Sequence, residues 1–264
     1  MITSLKNEKL RNVMLLQKKK KLREEQGLFC LEGLRIFEDA LRSAFDLIDQ
    51  IYVSESFSGS DDWKRIARGY FSNGEDISKI RVVSDGIFEK ICETVTPQGI
   101  LCVMRMKRYG YSDIPKEKLL LLENIQDPGN LGTMVRTAEA AGITGIIMSR
   151  DTVDVYSPKV TRSTMGSIFR MPFLYCGDIC DTIERLKKDG VTVYGAYLRD
   201  GKPYNETEYK IPCAILVGNE GNGITDEAIS KVSERVYIPM QGEIESLNAA
   251  VAAALIMYRA SEYR

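Results

Sequence analysis

Short apolar runs alternate with segments of helical periodicity through the first hundred residues. Apolar runs of about four to eight residues bounded by polar turns are typical of strands, and apolar spacings of three and four residues are typical of amphipathic helices. The pattern predicts strands at 28–31, 50–53, 81–83 and 100–104, and helices at 34–43, 61–71 and 85–93. Together these elements indicate a small N-terminal α/β domain over residues 1–105.

Some predicted strands of the second half are apolar at every position. Leu119–Leu122 and Ala214–Val217 are examples, and such strands are buried on both faces of a mostly parallel sheet covered by helices. The pattern predicts strands at 119–122, 145–149, 191–197, 214–217 and 235–238, and helices at 133–141, 179–188, 225–231 and 247–263. We expect a C-terminal parallel-sheet α/β domain over residues 119–264, after a linker at 106–118 that lacks a long apolar run.

Composition is that of an ordinary globular chain, with 44% hydrophobic and 28% charged residues among 264. It excludes a disordered, collagen-like or coiled-coil protein. The longest apolar stretch, Ala249–Met257, is well short of the ~20 residues of a membrane helix, and the N-terminus lacks the apolar block of a signal peptide. We therefore expect a cytoplasmic protein that does not bind a membrane.

Histidine is absent from the chain, and this restricts its chemistry strongly. Ser-His-Asp and Cys-His nucleophile systems and H-E-x-x-H zinc sites are excluded. The six cysteines contain no C-x-x-C pair, so we interpret them as small core residues and expect no metal site. Any proton transfer must use Asp, Glu, Lys, Cys, Tyr or Arg.

Basic residues concentrate near the N-terminus, although the net charge of the whole chain is only -1. Few acids oppose them between positions 6 and 23, which favours a phosphate-bearing partner such as RNA. The alternative is a solvated helix face that aids solubility. The candidate RNA contacts here are Lys18, Lys19, Lys20, Lys21 and Arg23.

A second basic segment, Tyr156–Ser167, contains few core residues. It could contact phosphates through Lys159, Arg162 and Ser163. The alternative is an ordinary solvated loop.

Three glycine-bearing loops follow predicted buried strands. The first carries an Asp-Pro-Gly-Asn turn that ends at Asn130, and it leads into a helix that bears Arg136. Ligands gather at the carboxyl edge of a parallel sheet, so both residues are candidate functional groups. Alternatively, Asn130 only caps the helix and Arg136 pairs with a carboxylate.

The second loop, Gly218–Gly223, contains one acid, Glu220. It has the G-x-x-x-x-G spacing of a phosphate loop, but Ile224 and Thr225 stand where Lys and Ser or Thr would follow. The loop also lacks the G-x-G-x-x-G fingerprint, which disfavours a dinucleotide-dependent oxidoreductase. The remaining interpretation is a loop that wraps closely around a small ligand. The alternative is an exposed Asn/Gly turn.

The third loop follows the strand at 235–238 and leads into an alanine-rich helix. We predict Ser246 as the N-cap of this helix and Asn248 as a residue of its first turn. The alanines predict close packing against a loop, a ligand or another subunit.

In this order the three loops resemble the motifs of the SpoU (TrmH) family of RNA ribose 2'-O-methyltransferases, of the SPOUT class. The first resembles N-x-G-x-x-x-R-T, from Asn130 to Thr137, and the second G-x-E-G-x-G, from Gly218 to Gly223. The third resembles I-P-M-x-G-x-x-x-S-L-N, from Ile238 to Asn248. Residues 9–104 are similar to the ribosomal-protein-like substrate-binding domain that many members carry.

The resemblance implies a parallel sheet whose C-terminal part forms a trefoil knot, an exception to the rule against knotted chains. It also implies a homodimer, and S-adenosylmethionine bound in the knot by backbone groups of Gly218, Ile238 and Leu247. The catalytic residues that it implies are Arg136, Asn130, Glu220, Ser246 and Asn248.

By the same resemblance, Arg136 is placed on the ribose 2'-hydroxyl. Arginine stays protonated, with a pKa above ~12, so we do not expect it to act as a strict general base. Our hypothesis is that its guanidinium holds the adjacent phosphate and steadies the developing alkoxide, while phosphate or solvent receives the proton. Asn130, Ser246 and Asn248 would orient Arg136 and the ribose, and Glu220 would position polar groups near the cofactor.

The expected reaction is therefore methyl transfer from S-adenosylmethionine to a ribose 2'-hydroxyl of RNA. A separate N-terminal domain suggests a footprint wider than one tRNA loop, which favours ribosomal RNA, and a splayed nucleotide would expose its 2'-hydroxyl best. One alternative is a tRNA ribose methyltransferase. Another is a non-catalytic RNA-binding factor in ribosome assembly that kept the fold.

Overall fold

The computed structural model describes residues 1–71 and 74–262 and divides the chain into two compact units. The first unit comprises Met1–Lys107 and Tyr156–Phe169. The second comprises Arg108–Val155 and Arg170–Arg264. The predicted end of the last helix, Tyr263, lies outside the described residues.

Strands and helices alternate through both units. In chain order the strands are β1 (Leu28–Glu32), β2 (Ile48–Ser54), β3 (Ile80–Val83), β4 (Ile100–Arg105), β5 (Lys118–Leu122), β6 (Gly145–Ser149), β7 (Phe173–Cys176), β8 (Thr192–Ala196), β9 (Lys202–Pro203), β10 (Cys213–Val217) and β11 (Glu234–Tyr237). The helices are α1 (Glu8–Lys18), α2 (Lys20–Gln26), α3 (Leu34–Ser43), α4 (Glu55–Ser58), α5 (Asp61–Tyr70), α6 (Gly74–Ile77), α7 (Asp85–Ile91), α8 (Pro128–Ala140), α9 (Pro158–Ser163), α10 (Ile179–Lys188), α11 (Asp226–Lys231) and α12 (Ala249–Ser261).

The first unit is built on a four-stranded mixed sheet with the order β1-β4-β2-β3. Strand β4 is antiparallel to β1 and β2, whereas β2 and β3 are parallel. Asn7 is the N-cap of helix α1, and its side chain accepts hydrogen bonds from Lys9 N and Leu10 N. Its apolar residues Leu10, Val13 and Leu16 pack in one core with the sheet.

The segment 156–169 belongs to the first unit, although it lies within the predicted C-terminal domain. Val160, Thr161 and Thr164 are fully buried, and the Tyr156 ring lies 4.5 Å from that of Phe29 in β1. The interpretation of this segment as a solvated loop is therefore wrong. Its Thr and Ser residues concealed the burial, because their hydroxyls bond to carbonyls of their own helix, as Thr161 Oγ1 does to Pro158 O at 3.0 Å.

A seven-stranded sheet with the order β7-β6-β5-β10-β8-β11-β9 forms the centre of the second unit. Each pair of neighbouring strands is parallel, so the predicted parallel-sheet α/β fold is confirmed. Alternate residues of β5 and β10, including Leu119, Leu121, Ala214 and Leu216, pack beneath α10 and α11. Strands β5 and β10 are adjacent, which brings their carboxyl ends together.

Residues within the predicted linker pack against this same core. Tyr109 and Tyr111 lie on it, and the Tyr111 hydroxyl donates a hydrogen bond of 2.8 Å to Asp189. The guanidinium of Arg185 lies 3.6 Å from the centre of the Tyr111 ring. Among the helices in the described parts of the chain, none is long and apolar enough to cross a membrane.

Candidate active site

Helix α8 begins directly after the first loop. Asp127 is its N-cap and accepts a hydrogen bond of 2.8 Å from Asn130 N, while Pro128 occupies the first helical turn. The predicted Asp-Pro-Gly-Asn turn is therefore the start of the helix, five residues before the predicted start at 133. This start places Asn130 in the first turn.

A chain of hydrogen bonds joins all three loops. The Asn248 side chain donates from Nδ2 to Asn130 Oδ1 at 2.9 Å. Asn130 in turn donates from its Nδ2 to Glu220 Oε1 at 3.0 Å. The structure thus brings together three predicted catalytic residues that lie far apart in the sequence.

Glu220 is the acceptor at the end of this chain. Its two carboxylate oxygens also accept hydrogen bonds from Gln126 N and Asp127 N, each at 3.1 Å. Partial burial acts to raise the pKa of Glu220, but these hydrogen bonds and the one from Asn130 outweigh it and lower the pKa below its ordinary value. Glu220 is therefore an anion at neutral pH, which matches its role as an acceptor.

Asn248, not Ser246, is the N-cap of α12. Its Oδ1 accepts hydrogen bonds from Ala250 N at 2.9 Å and Val251 N at 3.3 Å. This use of the oxygen turns the amide nitrogen toward Asn130 and fixes the direction of the hydrogen-bond chain. The prediction of Ser246 as the cap is wrong, because α12 begins two residues later than that cap requires, and Ser246 is exposed.

The second loop folds back closely on itself. Asn219 and Gly223 exchange two backbone hydrogen bonds of 3.0 and 2.9 Å. A Cβ atom on the buried Gly218 would lie 2.2 Å from the backbone carbon of Gly223, so only glycine fits at position 218. Glu220 stands at the tip of this closed loop.

The third loop carries open backbone groups. Within residues 1–71 and 74–262, the backbone N–H and C=O groups of residues 238–247 make no hydrogen bond to protein. Ile238 and Leu247, two predicted cofactor contacts, are half-buried at the ends of this segment. Residues 241–246 are exposed, so these backbone groups are open to water and are available to a ligand that binds through main-chain hydrogen bonds.

Arg136 lies outside the network. It is exposed on α8 and has no hydrogen bond or ion pair with any residue that the structure describes. Six residues after Asn130, it is rotated by about 240° around the helix axis. Its side chain therefore lies on another side of α8, exposed to solvent. Ser246 is also exposed and has no side-chain hydrogen bond with any residue that the structure describes.

Four of the predicted RNA contacts near the N-terminus are exposed, but Arg23 is not. Lys18, Lys19, Lys20 and Lys21 are on the surface, and the last two lie 3.9 and 3.8 Å from Glu24 and Glu25. Arg23 is only 3% exposed and donates to Leu16 O at 2.6 Å and Gln17 O at 3.0 Å. This buried position removes Arg23 from the candidate phosphate contacts.

The second basic segment is divided in the same way. Lys159 is exposed, whereas Ser163 donates its hydroxyl to Lys159 O at 2.9 Å. One terminal nitrogen of Arg162 is buried without a hydrogen bond among the described residues. Lys159 is therefore the fully exposed residue of the three, and Arg162 is half-buried.

Sequence reasoning missed the residues that hold the loops in place. Buried Glu123 accepts hydrogen bonds from Thr225 N and Thr225 Oγ1 at 2.9 and 2.7 Å, which joins the end of β5 to the start of α11. Gln126 donates to Asp151 O at 2.6 Å. The sequence did contain one signal for such a residue, since Glu123 is an acid directly after an apolar strand.

These observations define the class of the protein: a two-unit α/β protein whose second unit joins three loops into a candidate ligand site at the carboxyl ends of parallel strands. Residues 117–258 match the SpoU rRNA Methylase family, and residues 7–102 match the MRM3-like substrate binding domain. The chain belongs to the SpoU rRNA methylase family, and the predicted family is confirmed.

Relatives match nearly the whole chain. It is 35% identical over 257 residues to the 23S rRNA (guanosine(2553)-2'-O)-methyltransferase RlmP of Bacillus subtilis, with 97% of each chain covered. It is 30% identical over 260 residues to an uncharacterized tRNA/rRNA methyltransferase of Synechocystis, with 98% of this chain and 92% of the relative covered. The AdoMet-bound rRNA methyltransferase from Sinorhizobium meliloti has a similar structure, with a TM-score of 0.85, 27% identity, and 99% and 97% of the two chains covered.

Proposed function

We propose that this protein transfers a methyl group from S-adenosylmethionine to a ribose 2'-hydroxyl of ribosomal RNA. The observation that carries the proposal is the hydrogen-bond chain from Asn248 through Asn130 to Glu220, because it assembles the three loop motifs into one site. The full-length similarity to a 23S rRNA 2'-O-methyltransferase favours ribosomal RNA over tRNA.

The cofactor would be held by main-chain groups of the second and third loops. The open backbone of 238–247, between Ile238 and Leu247, offers donors and acceptors, and the tight loop at Gly218 offers a close approach. S-adenosylmethionine supplies an electrophilic methyl group when it is bound. A trefoil knot in this part of the chain, as the family resemblance implies, belongs to the proposal.

Arg136 would act on the RNA. Its exposed guanidinium is available to a phosphate and to the oxygen that is losing its proton, and arginine keeps its charge throughout. Charge stabilisation by a fixed cation strengthens as the alkoxide develops, so it lowers the barrier of the chemical step. The proton passes to phosphate or solvent. Asn130 and Asn248 would orient the ribose, Ser246 would assist from the third loop, and Glu220 would keep the amides in place.

The proposed assembly is a homodimer. Helix α12 buries one face within its own unit, while Val251, Leu255 and Tyr258 on the other face are 49%, 37% and 53% exposed. Their spacing of four and three residues places them on one stripe, as expected for a helix that packs against a second copy. The exposed lysines Lys18, Lys19, Lys20, Lys21 and Lys159 would bind phosphates of the RNA, in the cytoplasm.

Transfer of labelled methyl groups into ribosomal RNA tests this function. The full-length protein should label ribosomal RNA from cells that lack its gene, at a 2'-O-methyl position found by nucleotide mapping. Arg136→Ala should lose at least about a hundredfold in rate, the magnitude of one transition-state charge interaction, while it still binds S-adenosylhomocysteine. Lys64→Ala is the control, because Lys64 is an exposed cation of the first unit, whereas Arg136 belongs to the second. An Arg136→Ala protein with wild-type rates would overturn the role of Arg136, and labelling of tRNA alone would overturn the ribosomal substrate.

A further inference from the structure

We propose that Asn219 is a positioning residue that holds Glu220 in the active-site network by tethering the second loop to the first. The inference rests on the proposed function, because methyl transfer provides one of its measurements. Asn219 itself contributes no group to the hydrogen-bond chain from Asn248 to Glu220. Its action is on the loop that carries Glu220.

The Asn219 side chain first closes its own loop. Its Oδ1 accepts hydrogen bonds from Gly221 N at 2.9 Å and from Asn222 N at 3.0 Å, which is an Asx turn around Glu220. With the two backbone bonds between Asn219 and Gly223, this turn gives the loop one shape.

The other end of the amide reaches the first loop. Asn219 Nδ2 donates to Asn124 O at 2.8 Å. Asn124 has a left-handed backbone with φ 56, and both its N–H and its side-chain oxygen bond to Ser149 Oγ at 2.8 Å. The acceptor of the tether is therefore fixed to the ends of β5 and β6.

The tether determines how Glu220 meets its partners. Glu220 is the next residue, and its carboxylate must reach Gln126 N, Asp127 N and Asn130 Nδ2 at the same time. Aspartate at position 219 would keep the acceptor of the Asx turn, lose the donor, and set a carboxylate oxygen against the carbonyl of Asn124. The loop would then keep its shape but lose its attachment.

Asn219→Asp and Asn222→Asp in the full chain test the tether. Both changes add one negative charge to the same loop, but the side chain of Asn222 is exposed and makes no hydrogen bond among the described residues. Asn219→Asp should lower kcat for methyl transfer about 10- to 100-fold, as expected when a catalytic group is displaced by about 1 Å. It should also speed amide hydrogen exchange at Gln126 and Asp127, whereas Asn222→Asp should leave kcat and exchange near wild-type values.

Two further observations keep the test decisive. If Asn219→Asp does not fold, Asn219→Ser, which keeps a hydroxyl acceptor for the turn but is too short to reach Asn124, takes its place. A lower melting temperature with unchanged kcat and unchanged exchange at Gln126 and Asp127 would overturn the proposal, because it would make Asn219 a structural residue only. If the wild-type protein methylates no RNA, the proposed function fails, and hydrogen exchange, which needs no substrate, still decides the role of Asn219.

Discussion

Asn130 and Asn248 extend the network because a side-chain amide carries a donor and an acceptor on the same group. Asn248 uses its oxygen at the N-terminus of α12 and its nitrogen at Asn130. Asn130 receives that bond on its oxygen and donates a further bond to Glu220. Neither position can be a carboxylate without a break in the chain, because a carboxylate only accepts.

The substitution Asn248→Asp keeps the cap of α12 but removes the hydrogen bond to Asn130, so it tests the two roles separately. Aspartate is as good an N-cap as asparagine, so the melting temperature should stay within about 2 °C of wild type. The donor to Asn130 is lost, and we expect methyl transfer to fall about 10- to 100-fold. Asn7→Asp is the control, since Asn7 caps α1 and makes no bond of this second kind among the described residues. Equal rates for Asn248→Asp and wild type would show that the bond to Asn130 does not matter for catalysis.

The sequence predicted Asn130, Glu220 and Asn248 as site residues, and the structure joins these three by hydrogen bonds, but the predicted cap of α12 was Ser246. Serine and asparagine are both favoured N-caps, so the residue types alone cannot separate two candidates two positions apart. What separates them here is the first helical turn, which Asn248 caps through Ala250 N and Val251 N. Its second partner, Asn130, lies 118 positions away, and only the tertiary fold brings the two together.

At the scale of elements, the break between α1 and α2 determines which basic residues are exposed. α1 ends at Lys18, Lys19 is extended, and α2 begins at Lys20. The bend returns Arg23 to the last carbonyls of α1, at Leu16 and Gln17, which have no partner within their own helix. A basic run thus contains both a helix cap and a set of exposed lysines.

Arg23→Ala should lower the free energy of unfolding, whereas Lys21→Ala should leave it nearly unchanged. Removal of the buried guanidinium leaves two carbonyls without their donor, so urea unfolding should show a loss of about 1–3 kcal/mol. Lys21→Ala should change stability by less than about 0.5 kcal/mol, because Lys21 is exposed. Alanine at all four positions from Lys18 to Lys21 should weaken RNA binding and flatten its salt dependence, by about one unit of slope for each phosphate that the protein no longer binds. A stable Arg23→Ala protein with weakened RNA binding would reverse this assignment.

All four strands of the first sheet and the five inner strands of the second were predicted, but the two edge strands of the second sheet were not. The predicted strand 145–149 matches β6, which is buried at all five positions. The predicted helix 179–188 matches α10, whose apolar residues follow the three- and four-residue spacing of an amphipathic helix. The edge strands β7 and β9 were missed because they span only four and two residues. α9 was missed because its buried face includes threonine and proline. Hydrophobic periodicity cannot reveal burial that depends on paired hydroxyls.

At the scale of the whole molecule, the exposed stripe of α12 leads to a prediction about assembly. Val251→Asp with Leu255→Asp should convert a homodimer to a monomer in sedimentation experiments, because two buried charges without partners oppose association. Val95→Asp is the control, since Val95 is 98% exposed in the other unit. A sedimentation coefficient that does not change between the double variant and wild type would exclude this stripe as the interface.

The first unit is discontinuous in sequence, because it includes the segment 156–169. The polypeptide crosses from one unit to the other after Lys107, after Val155 and after Phe169. A gene fragment that ends near codon 107 would encode the sheet without the Tyr156 ring that lies on Phe29. A polypeptide cut there would therefore lack part of its own buried core, and it should unfold more readily than the same unit does within the intact chain.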